Sequence, residues 1–142
     1  MPPVVVAVPG RLPAGAQFAA SAADVPDTVG AYLLVITLPT PLCVSLPGRT
    51  RSVLLSGRYL YAGSARGPGG LRARVARHLR TEKRMHWHVD LLTARGAVEG
   101  AWIVRDGTEC DFIVSLSHLP VPLPGFGSSD CRTCRSHLLR WQ

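Results

Sequence analysis

The sequence predicts a small α/β or α+β domain: a mostly antiparallel sheet of three strands with an inserted hairpin, flanked by helices. Three observations carry that reading. Leucine-rich and β-branched runs are bounded by Gly and Pro, as buried strands are. Apolar residues at helical spacing come later in the chain, and strands joined by both hairpins and crossovers argue against a bundle or a sandwich. The length, 142 residues, fits one core and excludes two full-sized domains.

Residues 1–28 carry Pro2, Pro3, Pro9, Pro13 and Pro26 among small residues, a mix that resists helix and ladder pairing alike. They read as an irregular leader, and residues 29–142 as the domain. From Gly30 onward, AYLLVITL reads as a well-buried strand ended by Pro39. LCVSLPGRTRSVLLSG reads as a hairpin turning at Pro47 and Gly48, and RYLYAG as the next strand. GSARGPGG is too rich in glycine for regular structure. It opens onto LRARVARHLRTEKR, where Leu71, Val75 and Leu79 recur at helical spacing. HWHVDLLTARG predicts a second short helix ending at Gly96. AVEGAWIVR predicts a strand, and TECDFIVSLSHL a helix with Thr108 as N-cap. The tail, PVPLPGFGSSDCRTCRSHLLRWQ, returns to Pro and Gly and reads as an irregular wrap.

Lys and Arg total 16 against 9 Asp and Glu, a net charge of +7. The charged fraction, 18%, is below the usual ~25%, so scarce acids rather than abundant bases create the surplus. The partner this suggests is a polyanion, and charge alone does not separate DNA from RNA. A hydrophobic fraction of 46% excludes wholesale disorder. The N-terminus lacks the basic region of a secretory signal, and no run approaches the ~20 apolar residues of a membrane span. The expectation is a cytoplasmic protein with reduced cysteines and no membrane association.

The most informative constellation joins Gly30-Ala31-Tyr32 on the first strand, Tyr61-Ala62-Gly63 on a later one, and a helix carrying Arg74 and His78. Two tyrosines on adjacent strands can present phenols at one sheet surface, where a phenol orients or deprotonates a water. A guanidinium beside them can hold a phosphate bidentately and offset charge that grows in a transition state. Arg66, Arg72, Arg77, Arg80 and Lys83 are the candidate nucleic-acid contacts around this core. Taken alone, the same residues also fit core tyrosines beneath a solvated basic face. The glycine loop would let a DNA phosphate approach the helix start. It lacks the Lys-Ser/Thr ending of a nucleotide P-loop.

Two further clusters have metal-ligating chemistry. His86, His88 and Asp90 lie close in sequence, as ligands or as capping and core polar residues. Cys131, Cys134 and His137 form C-x2-C-x2-H, three candidate ligands for a structural Zn2+, with Cys110 or His118 available as a fourth. Glu109, read from its position, is an acid at a helix start, where the helix dipole favours it.

In this order the motifs resemble the GIY-YIG nuclease superfamily, and more closely its branch of small stand-alone domains with little assigned function. Gly30-Ala31-Tyr32 stands at the GIY element and Tyr61-Ala62-Gly63 at YIG. Ser64-Ala65 and the glycines Gly67, Gly69 and Gly70 lead to Arg74, which matches the family's functional arginine. His78 matches its His or Tyr one turn later, and Glu109 the metal-binding glutamate that opens a later helix. HWHVDLL and GFGSSDCRTCRSHL look like the small-domain branch, and the resemblance runs from Val29 to Trp141. It implies phosphodiester hydrolysis with a single Mg2+ or Mn2+ at Glu109. By the same resemblance Tyr32 is base or water positioner, Tyr61 its hydrogen-bonding neighbour, Arg74 the phosphate clamp, and His78 a proton-transfer or phosphate-contact residue.

The inserted hairpin lengthens the usual spacing between the tyrosines. The chain contains no asparagine, so the Asn near the site of many catalytic members has no direct counterpart. The resulting expectation is a DNA-binding, divalent-metal-dependent endonuclease of DNA repair or processing, with any targeting supplied by another protein. The alternative is a catalytically inactive nucleic-acid-binding or partner-docking module on the same fold.

Overall fold

A computed structural model of the chain describes residues 6–8, 10–46, 51–80, 82–85, 87–128 and 131–141. Its strands are β1 (Gln17–Ala19), β2 (Gly30–Leu38), β3 (Leu42–Ser45), β4 (Arg51–Leu54), β5 (Gly57–Ala65), β6 (Ala97–Arg105) and β7 (Leu138–Arg140). Its helices are α1 (Gly70–Leu79), α2 (His88–Arg95) and α3 (Glu109–Ser115). The class is the mixed α+β one that the sequence predicts, and the main sheet is entirely antiparallel.

That sheet is wider than three strands, running β1-β6-β2-β5-β7. The expected three are its centre, β6-β2-β5. The two edges come from segments whose sequence reads as irregular: β1 from the leader and β7 from the tail. Each is three residues long, too short to show an alternating pattern, and each is held by backbone pairing to a longer strand. The leader also reaches the sheet at Val6, whose carbonyl accepts from the Trp102 indole at 2.9 Å. The hairpin is a separate two-stranded sheet, β3 against β4. Its expected turn at Pro47 and Gly48 lies outside the described residues.

Side chains alternate across β2. Tyr32, Leu34, Ile36 and Leu38 pack with α1, α2 and the hairpin, whereas Ala31, Leu33 and Val35 pack with α3 and residues 6–8. Cover on both faces explains why this strand is apolar throughout instead of alternating. In the β2–β5 register Tyr32 lies opposite Gly63 and Leu34 opposite Tyr61, so the two tyrosines are diagonal neighbours on one face. Gly63 must lack a side chain because the Tyr32 phenol lies across it, where a Cβ would collide with the ring and hydroxyl.

Two glycines in the left-handed region open helix α1: Gly69 at φ +80° is its N-cap and Gly70 at φ +57° its first residue. The first-turn N–H groups of Leu71 and Arg72 donate to the carbonyls of Thr28 and Pro26, at 2.8 and 3.0 Å. This corrects the expectation of a phosphate at that helix start: the donors are taken up by the chain itself. Helix α2 ends before Gly96, as expected, and Thr108 stands at the N-cap position of α3. Across the α1–α2 contact, Arg77 pairs with both carboxylate oxygens of fully buried Asp90, at 2.6 and 2.8 Å. Among the described residues no helix is long and apolar enough to cross a membrane.

Candidate active site and metal cluster

Where the start of β2 meets the end of β5, a cavity of about 590 Å³ opens. The sheet contributes Tyr32, Tyr61, Gly63 and Ser64 to its wall, α1 contributes Arg74, and α3 contributes Glu109. Trp87 and His88 close it from the α2 side, and Cys131, Arg132 and His137 from the tail.

Tyr32 is buried, and its hydroxyl lies 2.8 Å from Nε2 of His78. Burial pushes the phenol up to about 12, while the charge and hydrogen bond of Arg74 pull it back. Tyr61 is likewise pushed up by burial, and its ring meets Phe126 edge-on at 6.0 Å. Both phenols are therefore protonated at neutral pH. Gly127, at φ +69°, makes room for Tyr61: a Cβ there would sit 2.7 Å from the hydroxyl.

His78 is placed behind Tyr32 and does not line the cavity. That corrects its expected role as a phosphate contact: the ring is buried among Tyr32, Trp87 and α1. Burial first, and then the charge of Lys83, lower its pKa to about 3, so it is a neutral imidazole. Its Nδ1 has no hydrogen-bond partner among the described residues.

Arg74 donates to the Ser64 carbonyl at 3.1 Å and lies 4.4 Å over the Trp87 ring. Glu109, the first residue of α3, accepts the Ser64 hydroxyl at Oε2. Its own N–H donates to Ser64 Oγ at 3.4 Å. Ser64 thus fixes the carboxylate at the cavity wall, and among the described residues Oε1 is left for another partner. Among the described residues Glu109 is the only carboxylate lining the cavity.

Four of the other basic candidates are hydrogen-bonded within the chain. Arg66 donates to the Gly107 carbonyl at 2.9 Å and Arg72 to the Val25 carbonyl at 2.7 Å. Arg77 turns inward to Asp90, and Lys83 donates to the His78 carbonyl and the Thr93 hydroxyl at 3.1 and 2.8 Å. Arg80 is exposed and borders a second depression with Arg77, Lys83 and Arg84. Arg132, which sequence reasoning passed over, lines the cavity; its position inside C-x2-C was the only available signal.

Of the second candidate cluster, His88 and Asp90 are engaged by other partners. His88 Nδ1 accepts from the Gly127 N–H at 3.0 Å, and Asp90 is held by Arg77 and by the Trp87 N–H at 2.8 Å. His86 lies outside the described residues.

The tail cluster is assembled. Cys110, Cys131, Cys134 and His137 bring one ligand atom each within 4.8 Å of one another, a Cys3His set that can hold a metal ion. The fourth member is Cys110 and not His118, whose ring lies against Gly10 instead. None of the four cysteines is disulfide-bonded.

Fold and site together define a small antiparallel α+β domain with a tyrosine-, arginine- and glutamate-lined cavity beside a metal-capable cysteine cluster. The chain belongs to the family described as domain of unknown function DUF123, whose family model matches residues 31–142. No curated protein and no solved structure matches the chain significantly.

Proposed function

We propose that this chain is a DNA-binding domain of GIY-YIG type that hydrolyses phosphodiester bonds with one divalent cation. The observation that carries the reading is the convergence of Tyr32, Tyr61, Arg74 and Glu109, from four separate elements, on one cavity. The donor set fits a hard cation: one carboxylate with an uncommitted oxygen, in an open cavity where Mg2+ or Mn2+ would keep several waters. When bound, the ion would supply charge stabilisation at the phosphoryl oxygens.

The chain's own residues divide the remaining work. Arg74 binds the phosphate, and its hold on the Ser64 carbonyl keeps the guanidinium beside the Glu109 anchor. Tyr32, oriented by neutral His78, presents its hydroxyl to a water or phosphate oxygen. Accepting a proton would require it to ionise, and Arg74 is the cation that favours this. In this reading Arg132 contacts a phosphate beside the cavity, and Arg80 one farther along the backbone. In the Cys3His cluster the ion suited to three thiolates and an imidazole is Zn2+, and reduced thiols accord with a cytoplasmic location.

Protonated phenols favour a second reading, a binding module without hydrolysis. Incubation with supercoiled, nicked and branched DNA in Mg2+, Mn2+ or EDTA separates the two. Metal-dependent cleavage lost in Glu109→Ala, and reduced about 10²-fold or more in Tyr32→Phe, is the expected outcome. Salt-sensitive binding with no cleavage in any metal would leave the binding module.

A further inference from the structure

We propose that the Cys3His cluster is a structural zinc centre that braces the Glu109 side of the cavity. The bracing rests on the nuclease reading above, whereas the centre itself does not. Thiolates around tetrahedral zinc, with Zn–S bonds of ~2.3 Å, stand roughly 3.8 Å apart. Here Cys110 Sγ lies 3.6 Å from Cys131 Sγ and 3.3 Å from Cys134 Sγ, whereas a disulfide requires about 2 Å.

The surroundings are those of a thiolate site. The Cys134 N–H donates to Cys131 Sγ at 3.4 Å, and the Thr133 hydroxyl is 3.5 Å from that sulfur. Such donors offset charge on metal-bound sulfur. His137 is buried, with Nε2 lacking a hydrogen bond among the described residues, an arrangement that is rare unless something else partners the atom. Three soft sulfurs select zinc over the hard ions suited to Glu109, so the two sites take different metals.

The bracing follows from what the ligands are attached to. Cys110 adjoins Glu109 on α3. The His137 carbonyl accepts from the Ala62 N–H at 2.9 Å, and the His137 N–H donates to the Phe126 carbonyl at 2.9 Å. Ala62 stands between Tyr61 and Gly63. One ion therefore links the helix that carries the carboxylate to the strand that carries the phenol, and holds Arg132 at the cavity mouth.

The test uses the full chain purified under reducing conditions. Elemental analysis is expected to find one zinc per chain, and Co2+ substitution to give thiolate charge-transfer and intense tetrahedral ligand-field bands. Cys110→Ser is expected to lose the zinc, and Glu109→Ala to keep it. Little zinc after reconstitution, or no thiolate–cobalt band, overturns the centre.

Electron paramagnetic resonance titration with Mn2+ reads the brace. Chelator-stripped wild type that remains folded by circular dichroism is expected to bind Mn2+ about tenfold more weakly than the zinc-loaded form. Equal Mn2+ affinity with and without zinc overturns the brace. Zinc-loaded protein that binds no Mn2+ overturns the brace and the nuclease reading together, and the centre then stands on the zinc and cobalt results alone.

Discussion

Tyr32 concentrates the chemistry of the site at the scale of one residue, and its surroundings oppose ionisation. It lies across Gly63, is backed by His78 and lines the cavity. His78 completes this arrangement by staying neutral, with its pKa lowered to about 3 chiefly by burial. Between that value and the ordinary ~6.5 the unfolded chain binds more protons than the folded one. His78 therefore contributes stability that is full above about pH 6.5 and declines on acidification towards pH 3, with a slope approaching 1.4 kcal/mol per pH unit. His78→Gln, which retains a partner for the Tyr32 hydroxyl, is expected to flatten that slope in urea unfolding at graded pH. An unchanged slope would place the acid sensitivity elsewhere.

At the scale of elements, the Arg77–Asp90 pair fastens α1 to α2 and so fixes Arg74 relative to Trp87. Asp90 is fully buried, and removing Arg77 takes away the cation that meets both of its carboxylate oxygens. Arg77→Ala is expected to cost about 3–5 kcal/mol, measured by denaturant unfolding; a loss below ~1 kcal/mol, typical of surface pairs, would contradict that role. Elements with a clear period were legible in the sequence. The runs that became β2, β5, β6, α1 and α2 show their apolar pattern directly, and Gly96 marks the end of α2. The edges β1 and β7 were not legible, because three residues carry no period and their pairing partners are distant. Nor does sequence distinguish a solvated arginine from one turned inward: Arg77 and Lys83 read as a basic face, yet their partners Asp90 and Thr93 lie on the next helix.

For the whole molecule, the net charge of +7 overstates the cationic surface facing a ligand. Lys83 is half-buried and bonded to the His78 carbonyl and the Thr93 hydroxyl, Arg77 is paired with Asp90, and Arg74 and Arg132 line the cavity, with Arg80 outside it. The phosphate-binding share should thus be read from salt dependence: Arg132→Ala and Arg80→Ala are each expected to weaken DNA binding without altering sequence preference. Each should reduce the slope of log affinity against log salt by about one. Lys83→Ala should leave the slope unchanged and lower stability. The candidate site was legible wherever chemistry recurs locally, as in Tyr32, Tyr61, Arg74 and the C-x2-C-x2-H spacing. It was illegible where the chain folds back. The choice of Cys110 over His118, the place of Ser64 under Glu109, and the retreat of His78 behind Tyr32 all depend on tertiary packing.

The most direct measurement is the rate of nicking of a supercoiled plasmid as Mn2+ is raised, with wild type and Glu109→Ala at matched, saturating DNA binding. The expected result is a saturable Mn2+ dependence in wild type and no metal-stimulated nicking in Glu109→Ala. Equal rates in the two proteins, or none in wild type at any Mn2+ concentration, would contradict the assignment of this cavity to phosphodiester hydrolysis.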